Sequence, residues 1–154
     1  MAIPSLKDVR TGIITAVKRL KKINGYTIDL PDSHIYPVWK SDLAQNTDDE
    51  LYPKCFIFSD KGKMRRLVAG QKERNFKFVV IVVVKKVAES EKLEPSETAE
   101  LIINDVETIF DKDDTLGGLV TDIQIVSFAT DSGFCHPEGI AILDVEVEMK
   151  TSPR

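Results

Sequence analysis

The stretch Arg74-Asn-Phe-Lys-Phe-Val-Val-Ile-Val-Val-Val-Lys-Lys-Val87 decides the fold. Alternate side chains of an extended chain point to opposite faces. One face of this stretch is then made of Phe76, Phe78, Val80, Val82 and Val84, and the other of Lys77, Val79, Ile81, Val83 and Lys85. Because the middle is apolar on both faces, we predict a strand that is covered on both sides. The chain's own helices would supply one cover, and a neighbouring subunit is a candidate for the other.

The end of the chain shows the most regular alternation. Between Ile140 and Lys150, apolar residues on one face alternate with Asp144, Glu146 and Glu148 on the other, which predicts a half-buried antiparallel strand. Further strands are predicted at 54–59, at 64–68 and at 121–130, with a hairpin turn at 60–63 centred on Gly62. Short extended pieces are expected near 26–30 and 35–39.

Two helices are predicted from apolar residues at spacings of three and four. The first runs from Ser5, a fair N-cap, to Ile23 and ends at Asn24-Gly25; the second spans residues 95–112. The order is helix, several strands, helix, two strands, without a repeated strand-helix rhythm. We therefore predict the α+β class, with a mostly antiparallel sheet and two main helices packed on one face.

Size and composition fit a single domain over residues 1–154. Hydrophobic residues make up 42% of the chain and charged residues 30%, which is typical of a soluble globular protein. The longest apolar run, 79–84, is far shorter than the roughly 20 residues of a membrane-spanning helix. The start of the chain does not resemble a secretion signal, and Cys55 and Cys135 do not make a disulfide framework. Synthesis inside the cell is expected.

Charge is divided unevenly along the sequence. Residues 1–87 hold 17 Lys and Arg against 9 Asp and Glu, whereas residues 88–154 hold 4 against 16. The two halves can fold into one sheet and mix their charges on a solvated surface. Alternatively, a basic face of one copy meets an acidic face of the next.

Motifs for chemistry are mostly missing from the sequence. The metal-binding residue types His34, Cys55, Cys135 and His136 do not stand at ligand spacing, and no nucleophile motif such as GxSxG occurs. The glycine-rich stretch 116–119 lacks the lysine and the spacing of a phosphate-binding loop. We predict no catalytic, metal or cofactor site.

A metal-dependent nuclease is the main enzyme alternative. Asp144, Glu146 and Glu148 with Lys150 could present carboxylates and a lysine to Mg²⁺ and phosphate. Asp144 and Glu148 would lie about 13 Å apart along a strand, so one metal ion cannot bridge them. The second acidic group would have to come from Asp122, Asp113 or Asp114.

Nucleic-acid binding is a further alternative. The segment 61–77 contains seven basic residues against one acidic residue, Glu73. A basic hairpin interleaved with Phe76 and Phe78 could follow a phosphate backbone. However, the whole chain is acidic, and these phenylalanines alternate as core residues do.

The junction Leu116-Gly-Gly-Leu-Val120, between a helix that ends in acidic residues and a long strand, resembles a known group. The chain looks like the tail terminator proteins of long-tailed bacteriophages, which are also called tail completion or minor tail proteins. The order of elements is similar over nearly the whole chain: an N-terminal helix, a basic hairpin, a Val-rich strand, a second helix, this junction and two closing strands. Related neck and head–tail connector proteins share the size and the style of fold.

The resemblance implies a structural virion protein and not an enzyme. Six copies would form a ring that caps the distal end of the tail tube, stops polymerisation and presents a surface to the head–tail connector. Its expected partners are further copies of itself, the tail tube protein, the connector or neck protein and the tail sheath. DNA would pass through without specific binding, and no membrane is involved. The expected location is the neck region of the virion tail, and the host cytoplasm during assembly.

Two groups of residues are candidates for this role. The basic hairpin is expected to contact another copy or the tube through Lys61, Lys63, Arg65, Arg66, Lys72 and Arg74. The acidic face of the last strand is expected to line the channel through Asp144, Glu146 and Glu148, because a negative lumen repels phosphates. A contact with basic residues of a neighbouring copy, or plain solvent, are the alternatives for these carboxylates.

Overall fold

A computed structural model of the chain describes residues 4–66, 72–86 and 93–151. These residues form the strands β1 (Ile35–Tyr36), β2 (Lys54–Arg66), β3 (Lys72–Lys85), β4 (Asp122–Thr130) and β5 (Glu138–Thr151), and the α-helices α1 (Leu6–Val17), α2 (Ser41–Gln45) and α3 (Pro95–Lys112). The strands make one sheet in the order β1-β2-β3-β5-β4. Every neighbouring pair is antiparallel except β1 and β2. The predicted α+β class is confirmed.

The centre of the sheet is the pair β3 and β5. The two strands pair along their whole length, from Lys72 opposite Thr151 to Lys85 opposite Glu138. The alternation predicted for β5 is confirmed, since its apolar side chains are buried and its acidic ones are only partly so. One face of the sheet, the helix-side face, is therefore apolar on β2, β3 and β5; it presents Cys55, Ile57, Phe76, Phe78, Val80, Val82, Ala141, Leu143, Val145 and Val147.

Helices α1 and α3 cover the helix-side face, as predicted. Their buried residues, among them Val9 and Ile13 of α1 and Ile102 and Val106 of α3, join those of the sheet in one core. A reciprocal pair of hydrogen bonds begins α1: Ser5 Oγ accepts from the Asp8 amide at 3.1 Å, and the Asp8 carboxylate accepts from the Ser5 amide at 2.9 Å. These bonds lower the pKa of Asp8 and satisfy two amides that a helix start leaves unpaired.

The first helix is shorter than the sequence pattern predicts. It ends at Val17 and not at Ile23, and a separate 3₁₀ turn spans Lys22–Asn24. Side-chain and long-range bonds take the carbonyls that a longer helix would use: Asn24 Nδ2 donates to Arg19 O at 2.8 Å, and the Leu30 amide donates to Leu20 O at 3.0 Å. Gly25 ends the 3₁₀ turn with φ of 89°, the left-handed conformation expected of it.

The hairpin turn predicted at 60–63 is wrong. β2 continues through this region to Arg66, with a bulge between Ser59 and Gly62. Gly62 lies opposite Phe76, and a Cβ atom there would stand 3.0 Å from Asn75 O. The glycine therefore serves close approach of two strands and not a turn. The residues that join β2 to β3, 67–71, lie outside the described residues.

The second face of the sheet, here called the open face, is only partly covered. The chain between β1 and β2 lies over one end, where the Trp39 ring stands 4.9 Å from Phe56 and 6.2 Å from Phe58, measured between centroids. Farther along β3, Val79 and Ile81 are half-buried. The prediction that β3 is buried on both sides therefore holds only near Val83. The extended piece predicted at 26–30 forms no strand, and that at 35–39 is reduced to β1.

Candidate functional site

The three acidic residues of β5 lie together on the open face, each partly buried. The strand register gives each one a neighbour on both sides: Asp144 lies between Val79 and Ser127, Glu146 between Lys77 and Gln124, and Glu148 between Asn75 and Asp122. This arrangement confirms that the three side chains share one face.

Polar and basic neighbours partly compensate these carboxylates within one protomer. Ser127 Oγ donates a hydrogen bond to Asp144 Oδ2 at 2.5 Å, and Lys150 Nζ lies 2.9 Å from Glu148 Oε1. The hydrogen bond that Lys150 donates to Glu148, together with the negative charge of Glu148, raises the pKa of Lys150. Lys77, opposite Glu146, adds positive charge from β3. The open face is therefore less acidic than the sequence of β5 alone indicates.

The basic residues of the hairpin are divided between the two faces of the sheet. Lys63 stands opposite Asn75 and in the row of Glu148, which places it on the open face. Arg74 stands between Met64 and Met149 on the helix-side face, and Lys72 is two residues away on the same face. Lys61 lies in the bulge. Arg65 and Arg66 are part of β2, but the structure does not describe their side chains. The predicted six residues therefore do not make one flat patch.

The geometry of the acidic residues bears on the nuclease alternative. Of the three residues considered as a source of a second carboxylate, Asp122 lies beside Glu148 on the neighbouring strand. Asp113 instead pairs with Arg19 at 3.2 Å and accepts a hydrogen bond from the Gly117 amide at 2.8 Å. Within residues 4–66, 72–86 and 93–151, no three His, Cys, Asp or Glu side chains come together as metal ligands would.

The two phenylalanines of β3 bear on the nucleic-acid alternative. Phe76 and Phe78 are 4% and 0% exposed and belong to the core under the helices. Aromatic side chains that bind single-stranded nucleic acid present a ring on which bases stack. These two rings cannot do so, and the basic hairpin is left without aromatic residues from β3.

A buried lysine cluster was not predicted from the sequence. Lys54 is 0% exposed, and its Nζ donates to the carbonyls of Leu43 and Asn46 at 2.8 and 2.9 Å and lies over the ring of Tyr52. Lys85 Nζ binds Asp49 at 2.7 Å and the Thr47 carbonyl at 2.6 Å. The two ammonium groups therefore hold the segment around α2 against the end of the sheet. A lysine at the start of an apolar strand is the one sequence signal that points to this cluster.

Burial shifts the pKa values of Lys54, Tyr52 and the neighbouring Cys55. The pKa of Lys54 is lowered, chiefly by loss of solvent, with Lys85 adding to the effect and Glu138 opposing it. The pKa of Tyr52 is raised by burial and by the hydrogen bond and charge of Glu138. The pKa of the Cys55 thiol is raised by burial alone, so this cysteine is not a reactive nucleophile.

We expect Lys54→Met to lower the free energy of unfolding by about 1–3 kcal/mol, because two or three carbonyls lose their donor. Since the pKa of Lys54 is lower in the folded chain than its ordinary 10.5, the unfolded chain binds more protons. Stability contributed at this position therefore rises with pH in the window just below 10.5. Urea unfolding at several pH values should show the gap between wild type and variant widening in this window. Lys40→Met, at an exposed lysine, is the matched control. A stability difference between wild type and Lys54→Met that narrows as pH rises would contradict a lowered pKa of Lys54.

A cavity of about 670 Å³ lies near this cluster. It is bounded by the segment after α1, the start of α3 and the ends of β2 and β3, and its polar lining includes Lys22, Thr27, Tyr52, Lys85, Lys86 and Thr98. Lys85 is paired with Asp49, and Lys86 Nζ lies 3.3 Å from Glu94. Carboxylates thus already neutralise two of its lysines, and the cavity offers no concentrated charge to an anionic ligand.

The junction Leu116–Val120 makes a compact turn between α3 and β4. Leu116, Gly117 and Gly118 take successive φ values of 50°, 70° and 90°, and the side chain of Thr115 accepts a hydrogen bond from the Gly118 amide at 3.1 Å. Leu116 and Leu119 pack on α1 at Gly12, where a Cβ atom would stand 3.0 Å from Leu119 Cδ2. The motif therefore joins three elements of the fold and carries no chemistry of its own.

Comparisons with known proteins do not place the chain in a family. No family model matches the sequence, and no curated protein gives a significant match. Among the helices of the described residues, none has the length and apolar character needed to cross a membrane.

Proposed function

We propose that this chain is the subunit of a ring, hexameric by analogy with the tail terminators it resembles, that caps a phage tail tube and ends its polymerisation. The observation that carries the proposal is the one-sided fold. Helices cover only the helix-side face, while the open face keeps half-buried apolar residues, among them Val79 and Ile81, beside a row of carboxylates. An antiparallel sheet can leave one face toward water, and a face with a row of carboxylates suits the lining of an aqueous channel.

In this ring the open face lines the channel and the helices lie outside. The carboxylates of Asp144, Glu146 and Glu148 then face DNA that moves through the ring. Like charges repel phosphates, so DNA passes without adhering. Lys77 and Lys150 moderate this field and relieve repulsion between neighbouring carboxylates of the same strand.

The hairpin end of β2 and β3 is the proposed contact with the tube or with the next copy. Lys61 and Lys63 are exposed there, and Arg65 and Arg66 follow in the same strand. The opposite end of the ring would meet the connector or neck protein, and in a contractile tail the sheath would lie near it. The proposed location is the neck region of the virion tail, after assembly in the host cytoplasm.

Tail length in an assembling system tests the capping role. Without this chain we expect tubes that exceed the normal length, and addition of the purified protein should restore uniform tails. The double variant Arg65→Glu and Arg66→Glu should stay folded by circular dichroism but reduce capping at least about tenfold, because charge reversal replaces attraction with repulsion.

Exposed residues of α1 supply a matched control. Lys7→Glu together with Lys18→Glu changes the net charge by the same amount away from the hairpin, and it should leave capping intact. Normal tail length without the chain would contradict the capping role. Tails of normal length that fail to join heads would instead indicate a connector or neck protein.

A further inference from the structure

Two edges of the sheet carry no strand among the described residues, and both are long. β1 pairs with β2 only at Cys55 and Phe56, so the edge of β2 from Ile57 to Arg66 is open. At the other side of the sheet, β4 pairs with β5 on one side and has no described neighbour on the other. The open part of β2 has ten residues and β4 has nine, so the two edges match in length.

The two edges also differ in charge and in apolar exposure. The open part of β2 contains Lys61, Lys63, Arg65 and Arg66 against the single acid Asp60. β4 contains the acid Asp122 and no basic residue; in the sequence before it, Asp111 lies near the end of α3, and Asp113 and Asp114 follow that helix. Phe128 and Val126 of β4 are 66% and 45% exposed, so this edge leaves apolar area open to solvent.

We propose that β4 of one copy pairs with the open edge of β2 in the next copy, so that the ring closes as a continuous sheet. This inference rests on the proposed ring and names the surface that forms it. A head-to-tail contact of this kind uses two different patches of each subunit and closes a ring when the rotation between copies allows it. Exposed backbone groups at a sheet edge are templates for such pairing.

Strand direction agrees with this pairing. β2 and β5 run one way through the sheet, and β3 and β4 run the other way. Rotation about an axis roughly parallel to the strands preserves these directions. β4 of one copy would therefore meet β2 of the next as an antiparallel neighbour, which continues the antiparallel pattern of the sheet.

The register places opposite charges together. Within one protomer Lys63, Asn75, Glu148 and Asp122 form a single row across the sheet. Joining the edges without a shift sets Lys63 against Asp122 of the next copy. A shift of two residues, which keeps side chains on their own faces, sets Arg65 there instead. Either register gives Asp122 a basic neighbour. Both also bury Val126 and Phe128 near the contact between β4 of one copy and β2 of the next, here called the seam.

Exchange of the charges of Lys63 and Asp122 tests the seam. Lys63→Asp and Asp122→Lys should each raise the concentration at which the oligomer dissociates by about tenfold, measured by light scattering over a dilution series. The double variant should recover most of this loss, because the pair is restored with its charges exchanged. Lys7→Asp is the control and should leave the dissociation concentration unchanged.

Cross-linking locates the seam directly. In a chain with Cys135→Ser, Asp122→Cys should form intermolecular disulfides on oxidation when combined with Lys63→Cys or with Arg65→Cys, since residues opposite each other on paired strands lie within disulfide reach. A stable oligomer that shows neither cross-link nor charge exchange would overturn the seam and leave the ring intact. A chain that stays monomeric alone and on tail tubes would overturn the ring and the seam together.

Discussion

Val82→Asp should prevent the chain from folding into a soluble protein. Val82 is 0% exposed and lies in the middle of β3, between Cys55 of β2 and Ala141 of β5. Among the described residues, the neighbours of Val82 on the adjacent strands and in the core are apolar. A carboxyl group at this point must therefore either stay charged in an apolar environment or take up a proton. Either outcome costs roughly 5 kcal/mol, which is comparable to the whole stability of many domains of this size.

The soluble fraction after expression and the thermal unfolding curve measure this effect. Val82→Thr keeps nearly the same volume and replaces one methyl group by a hydroxyl, so it should fold with a moderate loss of stability. A Val82→Asp protein that is soluble and unfolds at the wild-type temperature would show that β3 is not the centre of the core.

Gly139→Ala should lower the free energy of unfolding by roughly 3 kcal/mol. Gly139 is buried near the start of β5, and a Cβ atom there would stand 2.2 Å from Pro95 O and 2.5 Å from Pro95 C. These are backbone atoms at the beginning of α3, so the clash cannot be relieved by rotation of a side chain. The helix would have to move away from the sheet and expose part of the core.

A second glycine provides the control for this substitution. Gly12 lies within α1, and the nearest atom to an added Cβ is Leu119 Cδ2, the end of a side chain, at 3.0 Å. Gly12→Ala should therefore change stability by about 1 kcal/mol or less, because the better helix propensity of alanine offsets the adjustment of Leu119. Urea unfolding of both variants gives the comparison. Equal stabilities for the two would contradict the close packing of α3 on β5.

Local patterns predicted the central strands and the second helix well. The alternation of β5 and the spacing of apolar residues in α3 depend on neighbours in sequence, and both elements occur where they were expected. Predictions failed where a long-range contact changed the role of a residue. Gly62 was predicted as a turn residue, but it lies in a strand because it passes close to Asn75. The predicted last strand begins only at Ile140, whereas Gly139 belongs to β5, and the packing of α3 requires a glycine there.

In the candidate site too, the sequence predicts features that depend on neighbours along the chain and misses those that depend on long-range contacts. The sequence indicates that the three acidic residues of β5 share a face, since this follows from strand geometry. It does not indicate that Lys77 lies opposite Glu146, because that neighbour depends on strand register. Nor does it predict the buried Lys54, whose partners are carbonyls of a segment about ten residues away. Burial of a charge by backbone oxygens leaves almost no signal in residue types.

Electron microscopy of tails assembled with this chain tests the central claim most directly. The proposed function predicts a closed ring of identical copies at one end of each tube, with the open face of the sheet lining the channel and the helices outside. Labelling of the exposed Cys135 would identify the copies. Tails of uniform length whose ends lack the chain, together with a protein that stays monomeric in solution, would contradict it.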